Sequence, residues 1–431
     1  MPPKALLQPA VPPPRALPSF LAFAPPLLDQ EELLQLKDTL DSGWLTRGPK
    51  CERFESACKD LLRSDGTLAV SSCTAALHLG LLVLNVGPGD AVVTTPLTFA
   101  STAHVIMYTG ARPLFCDVNP SDGNLSLERV RELLANQCNK DRDGLTRHDS
   151  TGLTVKAVLP VHYGGFPADV TGFRETAGAY GLNILEDAAH AFAALTDRHQ
   201  VGSSVLQRMP RHDLSALTAF SFYATKNVAC GEGGLLTGPE PLIRKAAVLS
   251  AYGITDERKI WERHSPRATW DYDVSVLGWK YNFTDLGAAL GLAQLKKLPE
   301  MQSRRRAFAK IWTSALSSLD GKLVTLPKES SGSSSAWHLY PLRLIPENLS
   351  CDRNSVIDRL RELNIGTSVM FRPLHLFSYY ARTLGLKEGD FPEAESFFLN
   401  EISLPMSPAN PMPLVEEAAE TLRRLLLSLA R

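Results

Sequence analysis

Apolar residues recur at helical spacing over residues 28–40 and again over 51–62, with the turn-rich stretch "DSGWLTRGPK" between them. The pattern then changes to short apolar runs bounded by polar residues. "TLAV" (67–70), "DAVVTT" (90–95), "ARPLFCDV" (111–118), "VKAVLPV" (155–161), "LNILEDAA" (182–189) and "ALTAFSFYA" (216–224) read as buried strands. Between them "SSCTAALHLGLLVL" (71–84) and "FASTAHVIMYTG" (99–110) read as helices. Short apolar strands alternating with helices predict an α/β fold, with a largely parallel sheet covered on both faces. Such sheets bind ligands at the carboxyl ends of their strands.

The pattern changes again near Pro299. A helix over 301–319 precedes a serine-rich loop at 329–335, then a strand in "AWHLYPLRLI" (336–345) and a helix in "RNSVIDRLRELN" (353–364). A chain of 431 residues exceeds one simple core, so more than one domain is expected. The reading is a disordered proline-rich leader at 1–22, a large domain at 23–303 and a smaller C-terminal α/β domain at 304–431. "NQCNKDRDGLTRHDSTG" (136–152) and "QRMPRHD" (207–213) read as polar surface insertions.

A net charge of −1 gives no reason to expect nucleic acid or an anionic membrane as a partner. Seven scattered cysteines without a C-x-x-C pair fit a reducing cytoplasm and argue against a zinc or iron–sulfur site. No apolar run approaches the ~20 residues of a membrane span.

The candidate chemistry sits at the strand ends. "SSCTAALHL" offers the N–H groups of Cys73 and Thr74 at a helix start, an anion site by geometry and dipole, although plain N-capping by Ser72 or Thr74 would also account for it. Asp187 ends a buried strand, where a carboxylate needs a cationic partner, a structural ion pair or a cap. Lys226, in "SFYATKNVACGEGGLL", follows a strand and precedes Gly231, Gly233 and Gly234. In a desolvated pocket it could capture a carbonyl; alone it would read as solvent-facing. Taken together with the aromatic Phe99, an anion cradle, a ring-nitrogen carboxylate and an aldehyde-capturing lysine describe a pyridoxal phosphate site.

The chain resembles the DegT/DnrJ/EryC1/StrS family of nucleotide-sugar aminotransferases, enzymes of pyridoxal phosphate fold type I. The resemblance runs from about residue 23 to 408 and is carried by ordered stretches. They include "VSSCTAALHLGL", "GPGDAVVTTPLTFAST", "PVHYGGFPADV", "EDAAHA", "SFYATKNVACGEGG", "GWKYNFTDLGAALGLAQLKKL" and "FRPLHL". It implies that Lys226 binds the cofactor aldehyde and Asp187 the pyridine nitrogen. It places His190 against the ring or its 3-hydroxyl, gives the phosphate to Cys73, Thr74 and Ser221, and stacks Phe99 on the ring. Asn282 resembles an asparagine that reaches the phosphate across a dimer interface, which implies a homodimer with shared sites. Trp44 and His375 would contact substrate.

The implied reaction moves an amino group, with L-glutamate as donor, to a keto group of a nucleotide-linked sugar; the wording of "GWKYNFTD" leans toward 4-keto sugars. Cys73 and Met370 depart from the family's usual residues, and both polar insertions are long; these leave the sugar open. A pyridoxal-dependent sugar dehydratase is one alternative, but those relatives replace the lysine that this chain keeps. A regulatory member that binds the cofactor without turnover is the other.

Overall fold

The computed structural model describes residues 13–254 and 272–431. Its core is a nine-stranded sheet built from β1 (Gly66–Val70), β2 (Asp90–Thr94), β3 (Arg112–Phe115), β4 (Cys138–Lys140), β5 (Thr146–His148), β6 (Thr154–Val158), β7 (Asn183–Asp187), β10 (Ala216–Ser221) and β11 (Gly234–Gly238). The short β8 (Leu195–Thr196) and β9 (His199–Gln200) lie outside it. The main path runs β1-β11-β10-β7-β6-β2-β3. Strand β11 is antiparallel to both its neighbours, and the pairs from β10 to β3 are parallel.

Every residue of β10 and β11 is buried, as expected for strands covered on both faces. One face packs on helices Cys73–Val83, Ala100–Tyr108 and Glu240–Ser250 through Leu77, Ile106 and Ala246. The other packs on Leu127–Asn136 and Val170–Tyr180 through Val130 and Phe173. A smaller three-stranded antiparallel sheet joins β12 (Val324–Thr325), β14 (Tyr340–Leu344) and β15 (Glu401–Leu404). Its core includes Trp312, Leu316, Val356 and Leu422.

Three expectations are refined or revised by this arrangement. The insertion over 136–152 is largely exposed at the surface, yet it has regular structure. It folds into the β4–β5 hairpin, and β5 pairs with β6 at the edge of the main sheet. The helix expected to begin after Pro299 instead starts at Asp285 and runs unbroken to Leu316, across the anticipated domain boundary. A proline inside a helix costs about 3 kcal/mol or more. Here helices Gln30–Ser42 and Pro49–Leu62 pack on the same long helix, as does Met412–Ser428, and that packing holds it together.

The third revision concerns the leader. Residues 1–12 lie outside the described residues, but the second half of the segment is ordered. Leu17 and Leu21 are buried in the small-domain core, and the Leu17 and Leu21 N–H groups donate to the carbonyls of Leu363 and Asn364 at 3.1 and 2.8 Å. Prolines exclude a helix there, yet they do not prevent an extended segment from pairing along a domain edge. The third β-structure, β13 (Ser333–Ser334), ties the serine-rich loop to β8 on the large domain.

Candidate active site

Strands β1, β10, β7, β6 and β2 all release the chain at one end of the sheet, and a cavity of about 600 Å³ opens there. Its lining draws Ser72, Cys73 and Thr74 from after β1, Thr98 and Phe99 from after β2, and Val161 from after β6. Asp187 and His190 come from the end of β7, and Ser221, Tyr223 and Lys226 from the end of β10. Six of the expected cofactor contacts (Cys73, Thr74, Asp187, His190, Ser221 and Lys226) thus meet on one cavity, with Phe99 exposed on its lining.

The helix Cys73–Val83 begins at Ser72, whose Oγ accepts the Ala75 N–H at 3.1 Å. Ser72 is therefore the N-cap, and this does not compete with the anion site. Among the described residues no hydrogen bond takes the N–H groups of Cys73 and Thr74, which stay available to an anion at the positive end of the helix. Two glycines permit the arrangement. Gly231 sits at φ 79°, in the left-handed region, where the chain turns back toward β11. Gly234 meets the cradle directly: a Cβ on it would lie 2.3–2.5 Å from the backbone of Ser72 and Cys73.

Asp187 is buried. Its Oδ2 accepts from Thr102 Oγ1 at 2.7 Å and its Oδ1 from the Ala189 N–H at 3.1 Å. Burial raises its pKa above the usual carboxylate value, against the pull of those donors and of Lys226 and His162. No cation among the described residues forms an ion pair with it. Lys226 reaches the same cavity, and burial lowers its pKa to about 8, against the opposing influence of Cys73 and Asp187. Burial pushes the Cys73 thiol far up, so it is held as a neutral thiol beside the cradle.

His190 Nδ1 accepts the Gly164 N–H at 3.2 Å. With its pKa well below the ordinary value, chiefly through burial, the ring is neutral and its one proton is assigned to Nε2. The ring lies 4.4 Å from His338, centroid to centroid, and stacks on Phe371 at 5.7 Å. His338 is likewise held neutral by burial, and its Nδ1 meets Asn227 Oδ1 at 3.2 Å.

The remaining sequence candidates fall elsewhere. His375 is fully buried, 2.7 Å from Glu395 Oε1 and packed edge-on against Phe391, and it does not line the cavity. A side chain so enclosed cannot touch substrate, so that expectation is withdrawn. Trp44 and Asn282 also lie outside the cavity lining. Trp44 Nε1 donates to the Arg47 carbonyl at 2.8 Å. Asn282 Nδ2 approaches Thr46 Oγ1 at 3.4 Å and the Phe283 carbonyl at 3.3 Å. Asn282 does not cap the following helix; Thr284 does, accepting the Gly287 N–H.

Thr102, Arg305, His338 and Phe371 were missed. Thr102 stands in the first turn after a strand end, where the strand-end rule points. The others come from the small domain, and nothing local in the sequence brings them to the sheet.

Residues 26–423 match the model of the DegT/DnrJ/EryC1/StrS aminotransferase family. The chain belongs to that family. It is 39% identical over 406 residues to the spore coat polysaccharide biosynthesis protein SpsC of Bacillus subtilis, covering 94% of this chain and 96% of SpsC. Spr1654 of Streptococcus pneumoniae, solved in a PLP form and a PMP form, superposes with a TM-score of 0.80 in each. The identities are 26% and 27%, covering 96% and 94% of this chain and 100% and 99% of that one. DesV of S. venezuelae, solved with a ketimine intermediate, gives 27% identity and a TM-score of 0.78 over 94% of this chain and 99% of DesV.

The family's cofactor is pyridoxal phosphate, and the donor set fits it. The free N–H pair of Cys73 and Thr74 with Ser221 Oγ suits the phosphate. The unneutralised Asp187 suits a protonated ring nitrogen, and Lys226 suits the aldehyde.

Proposed function

We propose that this aminotransferase moves an amino group from L-glutamate to a keto group of a nucleotide-linked sugar, as a homodimer with shared sites. The observation that carries the chemistry is the meeting of Lys226 and Asp187 on one cavity, the lysine with a pKa near 8 and the carboxylate short of a cation. When bound, pyridoxal phosphate supplies the aldehyde that captures the amino group and the ring that takes up electrons released at the donor's α-carbon.

The chain's own residues do the rest. Asp187 holds the proton on the ring nitrogen, and Thr102 and the Ala189 N–H keep its carboxylate aimed. His190 offers its Nε2 proton to the ring's oxygen while Gly164 fixes the imidazole. Lys226 Nζ would take up the proton released at the donor's α-carbon. Burial favours its neutral form, the form that can accept a proton.

The sugar reading is supported by the likeness to SpsC, a polysaccharide biosynthesis protein. The test is to load the enzyme with pyridoxamine phosphate and follow cofactor absorbance against a panel of nucleotide keto sugars. Return to the pyridoxal form with a 4-keto sugar is expected; no return with any nucleotide sugar contradicts the reading.

The dimer reading is supported by placement. Asn282 and the Trp44 loop come from distant parts of the chain, yet they share one region, with the Asp285 N–H also donating to the Thr46 carbonyl at 3.0 Å. Both lie outside the cavity lining, and nearby chain segments expose Leu45 and Leu277, the latter at 84%. Mixing Lys226→Ala with Asn282→Ala subunits restores activity if Asn282 serves the partner's site. With heterodimers formed and Asn282→Ala alone impaired, no recovery refutes sharing.

A further inference from the structure

Arg305 lies within the long helix Asp285–Leu316, is only 5% exposed, and lines the cavity from the small-domain side together with His338 and Ser407. Among the described residues that line it, Lys226 and Arg305 are the only lysine and arginine. The Arg305 guanidinium makes one hydrogen bond, from Nη1 to the Met406 carbonyl at 3.0 Å, and its Nε has no partner among the described residues. No carboxylate among the described residues forms an ion pair with it. Burial alone lowers its pKa, to about 10.

An arginine kept in such surroundings is costly unless an anion completes the site. The cofactor phosphate already has a cradle at Cys73, Thr74 and Ser221. Arg305 instead comes from the long helix and is tied to the Met406 carbonyl, on the segment after β15. It lines the same cavity as Lys226 and His338. An α-amino acid carries its carboxylate one bond from the carbon that reacts, so the carboxylate must sit at this depth. A nucleotide's diphosphate is separated from the reacting keto carbon by sugar atoms. A planar guanidinium also matches a carboxylate bidentately.

We propose that Arg305 binds the α-carboxylate of the amino-acid donor, a role that rests on the aminotransferase reading. In the first half-reaction, holoenzyme is mixed with L-glutamate, L-glutamine, L-alanine or L-aspartate, and conversion of the cofactor to its pyridoxamine form is followed against concentration. The donor that converts wild-type enzyme is then used with Arg305→Gln and Arg305→Lys, alongside calorimetric titration of the matching 2-oxo acid and of UDP. Arg305→Gln is expected to weaken the amino acid and the 2-oxo acid by at least about thirtyfold, leaving UDP within about threefold. Arg305→Lys keeps the charge without the fork and is expected to weaken the 2-oxo acid by about tenfold.

Unchanged 2-oxo acid affinity in either variant overturns the assignment, as does loss of UDP in place of the 2-oxo acid. If Arg305→Gln does not fold, the lysine variant decides by the same criterion. Wild-type enzyme converted by none of the amino acids contradicts the aminotransferase reading itself, an outcome distinct from conversion that ignores Arg305.

Discussion

Glu186 and Asp187 are consecutive on β7, both buried, and the two-residue period of the strand sends them to opposite faces. Glu186 Oε2 lies 2.9 Å from His162 Nε2, and His162 Nδ1 accepts the Ala168 N–H at 3.0 Å, which assigns the ring proton to Nε2. Burial lowers the Arg174 pKa, and the Glu186 carboxylate opposes that shift. On the cavity face, Asp187 receives only a hydroxyl and one backbone N–H. One carboxylate has a protein partner that fixes two elements together. The other has been given donors that aim it and no cation that pairs with it. Neither is paired with a cation among the described residues, since His162 meets Glu186 as an N–H donor; what separates them is that Glu186 ties β7 to the segment after β6 while Asp187 faces the cavity.

The comparison can be broken in several ways. The largest effect is expected at the partner of the site: Lys226→Ala should lose turnover by roughly ten-thousandfold or more while still binding free pyridoxal phosphate. Normal turnover in that variant would remove Lys226 from the chemistry. Next, Asp187→Asn keeps size and the Thr102 contact but loses the charge. Single-turnover rates should fall by about a hundred- to a thousandfold, with the melting temperature little changed. Glu186→Gln should show the reverse, a stability loss of about 1–2 kcal/mol in denaturant with turnover nearly intact. Smallest is the cradle. Gly234→Ala pushes a methyl into the Ser72–Cys73 backbone and should weaken cofactor binding about tenfold, measured by equilibrium dialysis, with the limiting rate spared.

The sequence made the Asp187 side of this comparison visible, because a charged residue at the end of an apolar strand violates the pattern around it. The same logic exposed Lys226, and the helix start at Cys73 carried its own signal. Glu186 was equally out of pattern but unread, since its partner His162 follows another strand and only the sheet order sets them together. Arg305 and His338 were hidden for the same reason. They reach the cavity through packing of the small domain, and three successive arginines on a helix do not reveal which one turns inward. Pro299 misled the reading of the long helix because local propensity cannot weigh tertiary packing. The leader misled it similarly: proline-rich composition says nothing of Leu17 and Leu21 finding the small-domain core.

Asp187, and not its neighbour, is expected to hold a proton on the cofactor ring. The nitrogen-15 chemical shift of ring-labelled pyridoxal phosphate, bound to wild type, Asp187→Asn and Glu186→Gln at pH 8, reads that proton directly. A protonated ring nitrogen is expected in wild type and Glu186→Gln, and an unprotonated one in Asp187→Asn. A ring that stays protonated in Asp187→Asn, or loses its proton in Glu186→Gln, would contradict the account.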